Sequence, residues 1–342
     1  MRLTRHRRTL WAMTLALVVS VVLAVGLGAV FVPPLQVLGI IGNHTVRVPS
    51  TTSWSLSDDA IIWQVRLPRV LLAVVVGAAL GVSGMVLQAI VRNVLADPYI
   101  LGVSAGASTG AAAAILFGVG ASLGTQSVSI VAFLGALAAL MLVLVLARAG
   151  GSITPSKMLV AGVAVGYLLT STTSLLILFA DSTEGARAVI FWLLGSLAQA
   201  EWSVLPFAYG SITACLMVVM WWRRRLDVLA LGDETAIAIG VDPRRTRLVL
   251  IVVVALCVGS AVAVSGGIGF VGLAVPHIAR RAVGTIHRVA LPAAALLGAT
   301  LLVWSDVVAR TVLQPRELPI GVITGIVGAP ALVILVRRLQ HD

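Results

Sequence analysis

The sequence predicts an all-α polytopic membrane protein with about ten transmembrane helices and both termini on the cytoplasmic side. Three observations predict it. Hydrophobic residues fill 59% of the 342 positions and charged residues only 11%, where a soluble domain carries about 25% charged residues. Apolar runs of the ~20 residues that cross a bilayer recur along the whole chain. The positive residues stand between those runs, and most fall on one side of the bilayer once the runs are threaded through it.

The runs lie at about 11–32, 62–90, 98–118, 128–147, 156–180, 203–222, 245–265, 270–283, 289–312 and 319–336. Residues 1–10 form a basic cytoplasmic N-terminus. They could open a signal peptide, but the following run is too long for a signal core and no small-residue cleavage site precedes Pro33-Pro34, so a retained helix is expected. Residues 33–60 read as an outer loop. The run 62–90 is long enough to tilt or protrude, and 270–283 is shorter than a full span. With the N-terminus inside, 18 of the 24 lysines and arginines fall on the cytoplasmic side. The six outside are Arg47, Arg66, Arg69, Arg187, Arg310 and Arg316. A missed span would scramble this bias, so the chain 1–342 reads as a single transmembrane domain.

The longest polar island in the second half runs from Leu226 to Arg247. Trp221-Trp222 followed by Arg223, Arg224 and Arg225 marks a helix leaving the bilayer on the cytoplasmic side. Inside the island a short helix is expected, with Asp233 capping its first turn, Gly240 ending its last and Pro243 blocking continuation. A capped helix outside the bilayer can be presented to a partner, or it can be an ordinary ordered loop.

The remaining residues exclude several functions. The net charge of +11 could suggest nucleic acid, but the charges form no continuous basic face. Cys215 and Cys257 lie in apolar runs and read as small packing residues. The only lysine, Lys157, stands between Ser156 and Met158, so no phosphate loop is present and any ATP must bind another subunit. Among the acids only Asp306 falls inside a span, four residues before Arg310, where an ion pair on one helix face is expected. A proton- or sodium-coupled carrier needs more ionisable groups at mid-membrane, and a membrane enzyme needs paired catalytic groups. His277 has no second ligand one turn away, so no metal site is expected. Small-xxx-small pairs at Gly77/Gly81, Gly102/Gly106/Gly110, Gly162/Gly166 and Gly321/Gly325 fit close helix packing. Arg66, Arg69 and Arg310 lie outside, against the orientation bias, and suit either snorkelling to headgroups or docking of an acidic partner.

Several blocks then match one family in order: RLPRVLLAVVVGAALGVSGMVLQAIVRNVLADPYILGVSAGAS at 66–108, MLVAGVAVG at 158–166, FWLLGSLA at 191–198, LALGDETAIAIGV at 229–241, SGGIGFVGLAVPHIAR at 265–280, SDVVAR at 305–310 and ELPIGVITGIVGAP at 317–330. From about Arg66 to Val336 the chain resembles the FecCD-type permeases of bacterial ABC importers. That resemblance implies a type II ABC importer permease fold of ten helices in the bacterial cytoplasmic membrane. It implies a second permease subunit, identical or paralogous, two ATPase subunits carrying ATP and Mg, and an external substrate-binding protein. No cofactor, metal or catalytic residue is implied on this chain. The coupling helix maps to 226–241, with Leu231, Gly232, Asp233, Glu234, Ala236, Ile237 and Gly240 toward the ATPase. Arg66, Arg69 and Arg310 would receive glutamates of the binding protein. The cytoplasmic gate would involve Asn93, Leu95, Pro155 and Ser156, although Val94 replaces the family's usual proline and Pro155 falls in the gate loop. The implied cargo is an iron chelate, with ferric siderophore first and haem or cobalamin as alternatives. A self-sufficient secondary transporter is the reading from a different class.

Overall fold

The computed structural model describes residues 2–48, 54–149 and 154–339, with side chains described from 6 to 330 except at 155. Its regular structure is helical throughout these residues. In order the helices are α1 (Arg2–Gly26), α2 (Pro34–Val46), α3 (Leu56–Ala60), α4 (Leu67–Val91), α5 (Val103–Phe117), α6 (Ser127–Arg148), α7 (Pro155–Leu178), α8 (Thr183–Leu193), α9 (Leu205–Ala230), α10 (Asp233–Ala238), α11 (Pro243–Ser265), α12 (Val271–Val283), α13 (His287–Thr311) and α14 (Ile320–Leu339). Each expected span finds its helix, and seven helices are long and apolar enough to cross a membrane. The exceptions have local causes. Pro98–Leu101 forms a tight 3-10 turn and Gly102 has φ +73°, so regular helix begins only at Val103. α12 holds 13 residues, about 20 Å at 1.5 Å per residue.

α4 is the axis of the bundle. Twenty of its 25 residues are buried, and it packs on α13, α12, α9, α11 and α1. A helix apolar on every side is stable only when surrounded. Its glycines set how close the neighbours come. A Cβ on Gly77 would lie 2.3 Å from the Gly298 carbonyl of α13, and one on Gly298 would lie 2.2 Å from that of Gly77. Gly84 meets Gly272 of α12 still more closely. Here the small-xxx-small spacing serves packing within the chain. A methyl group on Gly166, by contrast, would meet nothing within 4 Å, and α7 leaves Val160, Tyr167, Leu168 and Leu178 exposed.

Three local expectations change. α9 does not end at Trp222 but continues to Ala230, because nothing in 223–230 breaks a helix and Leu226 and Leu229 are buried. Arg225 stacks over the Trp222 ring at 4.2 Å. Pro243 does not merely block a helix; it opens α11, where Asp242 caps the backbone N–H groups of Arg244 and Arg245. The outer stretch 33–60 contains two helices rather than a loop, with 49–53 outside the described residues. Ser55 caps α3, Trp54 donates to Asp59, and His44 stacks on Trp63 at 4.3 Å. α8, too short for the span rule, is capped by Ser182. It leads into Gly195, whose carbonyl accepts from Ile320.

Substituting Gly84→Ala or Gly298→Ala should force α4 from its neighbours and destabilise the chain by about 1–3 kcal/mol or more. Gly210→Ala, on an open face of α9, should leave the melting temperature unchanged or slightly raised. Thermal unfolding in detergent measures all three, and equal melting temperatures would rule out glycine-set packing.

Candidate functional site

Functional side chains gather at the two ends of α4. At the outer end, α4 is approached through a π-helical turn, Ile61–Arg66. Arg66 donates to the carbonyls of Val25, Gly26 and Val30, at 3.2, 3.0 and 2.6 Å. Arg310 donates to the carbonyl of Ala24. Both guanidinium groups therefore satisfy the last carbonyls of α1, where a helix end favours positive charge. Arg69 donates from Nε to Asp306 at 2.7 Å and from Nη1 to both oxygens of Glu317 at 3.0 and 2.9 Å. Arg310 Nε lies 3.5 Å from Asp306, so the pair four residues apart exists but is secondary to Arg69.

This geometry bears on the docking expectation. The Arg69 and Arg310 side chains are each 6% exposed and that of Asp306 0%, and Arg66 is equally buried. None presents a free guanidinium outward. They fasten α1, α4 and α13 together. Glu317, 46% exposed, is the one member of the cluster open to solvent.

At the inner end, α10 begins at Gly232 with φ +124°, a conformation that favours glycine. Asp233 does not cap it. Its carboxylate instead accepts from Arg247 Nη1 and Nη2 at 2.7 and 2.6 Å and from Arg92 Nη2 at 2.6 Å. Arg92 also donates to the Leu229 carbonyl at 2.9 Å. The Arg247 hydrogen bonds, and then the Arg247 and Arg92 charges, hold the Asp233 carboxyl below its ordinary range. A carboxylate lowered in this way contributes its full stabilisation above the ordinary carboxylate range and loses it as pH falls through the lowered value.

The other coupling residues divide by exposure. Ala236 is fully buried and cannot touch a partner, while Leu231, Ile237 and Ile239 are 69%, 65% and 60% exposed. Glu234 is also exposed. Gly240, at φ +82°, ends the helix, and Val241 N–H closes back on the Ala236 carbonyl. A shallow hollow of about 600 Å³ lies beside it, lined by Ile237, Gly240, Val241 and Pro243 among others. Of the gate residues, Asn93 accepts from the Leu95 backbone N–H at 2.9 Å, and Val94 and Leu95 are each 44% exposed. Thr154 caps α7 by accepting from Lys157. Ser156 is exposed, and the side chain of Pro155 lies outside the described residues. Thr154 and Asp233 line one cleft of about 240 Å³, which brings the start of α7 to α10.

The residues missed from sequence are the partners. Arg92 and Arg247 counted only as topological charge, and Glu317 was one acid among thirteen. Only the run of arginines around α10 offered a signal.

The family model described as the FecCD transport family matches residues 16–338. Among similar curated proteins, the hemin transport system permease HmuU of Yersinia pestis is 41% identical, over 89% of this chain and 92% of its own. The vitamin B12 import permease BtuC of Vibrio cholerae is 36% identical, over 100% and 98%. The Fe(3+)-citrate import permease YfmD of Bacillus subtilis is 39% identical, over 82% of each chain. A solved structure described as a metal-chelate type ABC transporter in an inward-facing conformation aligns with a TM-score of 0.84 at 32% identity, covering 97% of this chain and 99% of that one. This chain belongs to the FecCD transport family. It is a multi-pass permease subunit of an ABC importer for haem, cobalamin or iron chelates, and ATP hydrolysis lies on a separate subunit.

Arg69→Ala should strand the buried Asp306 charge and destabilise the chain by about 3–5 kcal/mol. Glu317→Gln, at the solvent edge, should shift the melting temperature far less. Thermal unfolding of detergent-solubilised variants compares them, and equal losses would show that the buried pair does not dominate.

Proposed function

We propose that this chain is the membrane-spanning subunit of a bacterial cytoplasmic-membrane importer for an iron chelate, in the first instance a ferric siderophore. Two such subunits would enclose the path, with two ATPase subunits at the arginine-rich face and a substrate-binding protein at the other. The observation that carries this reading is α10. Its Ile237, with the flanking Leu231 and Ile239, faces solvent on a helix held by a carboxylate clamped between two arginines. Three exposed apolar side chains gathered around one short helix outside the bilayer suit an interaction surface. The absence of mid-membrane carboxylates other than Asp306 in the sequence supports an energy source outside the chain.

The relatives leave the cargo open, since hemin, ferric citrate and vitamin B12 all stand in their names. Haem is the second reading, on the strength of the 41% identity to a hemin permease. On the outer side, docking at Arg66, Arg69 and Arg310 requires an incoming carboxylate to replace an in-chain acceptor. Glu317 on Arg69 is the acceptor open to exchange.

Reconstituted in lipid with its ATPase and binding protein, the chain should show ATPase activity stimulated by one loaded form among ferric siderophores, haem and cobalamin. Ile237→Asp should release the ATPase from the complex. Retention of the ATPase by that variant, in a pull-down from detergent, would remove α10 as the contact.

A further inference from the structure

Arg92 has two unusual properties. It ends α4 in the left-handed region, at φ +54°, a conformation few non-glycine residues adopt. Its backbone N–H closes on Gln88, while its side chain crosses to the Leu229 carbonyl and Asp233. The same residue therefore starts the cytoplasmic turn Asn93–Leu95 and holds the first residue of α10. Gln88, one turn earlier and buried, donates to the carbonyls of Gly272 and Leu273 and accepts from Arg280. Contacts run without a gap from α10 through Arg92 to α4, and through Gln88 to α12.

We propose that Arg92 and Asp233 are positioning residues that join the ATPase-facing helix to the cytoplasmic turn 93–95, so that displacement of α10 moves the turn. This rests on the reading that α10 meets the ATPase. Neither residue touches nucleotide or cargo. α10 itself is only six residues long, too short to hold its own shape in water. Its position comes from its attachments: buried Ala236, the bidentate Arg247 contact to α11, and Arg92. Of these, only Arg92 leads to the turn. Arg247 fastens α10 to the helix that follows it in sequence and would move with it. Cutting the Arg92 contact therefore separates the turn from α10 while leaving α10 folded on α11. Coupling through packed, hydrogen-bonded elements needs such a shared contact rather than proximity alone.

The test uses the full assembly of chain, ATPase and lipid, with MgATP and vanadate as the probe. The native cysteines are replaced (Cys215→Ala, Cys257→Ala), and Val94→Cys, at a position 44% exposed, reports on the turn through its rate of labelling by a soluble maleimide. In this reference chain, nucleotide should change the labelling rate by roughly fivefold or more. Arg92→Gln should abolish that change while the ATPase stays bound and hydrolyses ATP at its basal rate. Arg92→Lys, which keeps the charge, should restore most of it. If Arg92→Gln does not fold, as judged by size-exclusion in detergent, Arg92→Met, which also leaves the Asp233–Arg247 contact intact, is read in its place with the same expected loss. A full nucleotide response in the folded Arg92→Gln or Arg92→Met chain overturns the joint and leaves the α10 reading standing. A reference chain that binds no ATPase overturns both.

Discussion

The rest of the structure depends on the burial of α4. A helix surrounded by five others cannot bend or rotate without opening contacts along its length. The glycine contacts to α12 and α13 remove even the slack that side chains would give. In lipid no hydrophobic force draws helices together, and close backbone approach replaces it. Whatever is attached to either end of α4 is therefore held at a fixed separation, about 37 Å for 25 residues.

That constraint explains where the charges are. Mid-span, α4 carries only apolar, small and hydroxyl side chains. At its ends the pattern reverses. Arg66 and Arg69 gather α1, α13 and Glu317 at one end, and Gln88 and Arg92 gather α9, α10 and α12 at the other. An ion pair near a membrane surface is cheaper to desolvate than one at the centre, and there it can fix the angle at which helices emerge. At the inner face, His287 adds a similar tie, its backbone N–H and Nδ1 both meeting Asp227 at the end of α9. The two ends differ in exposure. Asp306 is fully buried, whereas Asp233 is 45% exposed, so the outer cluster is fixed architecture and the inner clamp can be remade.

Much of this fold was legible in the sequence because lipid imposes one rule, length of apolar run, that needs no partner. The spans and the glycine faces follow from it. The misreadings occurred where that rule is silent. α8 and α2 are helices too short to register as spans, and the end of α9 is set by the burial of Leu226 and Leu229 rather than by the exit of Trp222 from the bilayer. The site divides in the same way. Ile237 came only with the family resemblance, while Gly240 as the end of a short helix could be read from local pattern. Asp233 could not, because its role comes from Arg92, 141 positions away, and a short acidic helix start looks like a cap whatever its carboxylate does. The partners of Arg69 were hidden for the same reason: an arginine outside the membrane looks available until Asp306, 237 positions away, is found against it.

The distribution of polarity also argues for how such a chain must be driven. A carrier that moves cargo by its own ion gradient keeps titratable groups along the route, where their protonation or pairing changes with each cycle. Here the irregular backbone at the helix breaks is satisfied mostly by neutral groups, with one carboxylate, Asp97, accepting from the Tyr99 N–H at 2.8 Å. Tyr99 Oη donates to the Ile268 carbonyl and accepts from the Ile268 N–H, both at 2.9 Å, and Ser196 N–H closes on Ser265. These breaks hold their backbone largely with neutral groups. On the proposed reading the force that changes the chain's state enters at a surface, the exposed apolar edge of α10. A rigid, buried α4 then has a physical purpose beyond packing, because a force applied at one face reaches the other only through an element that does not yield between them.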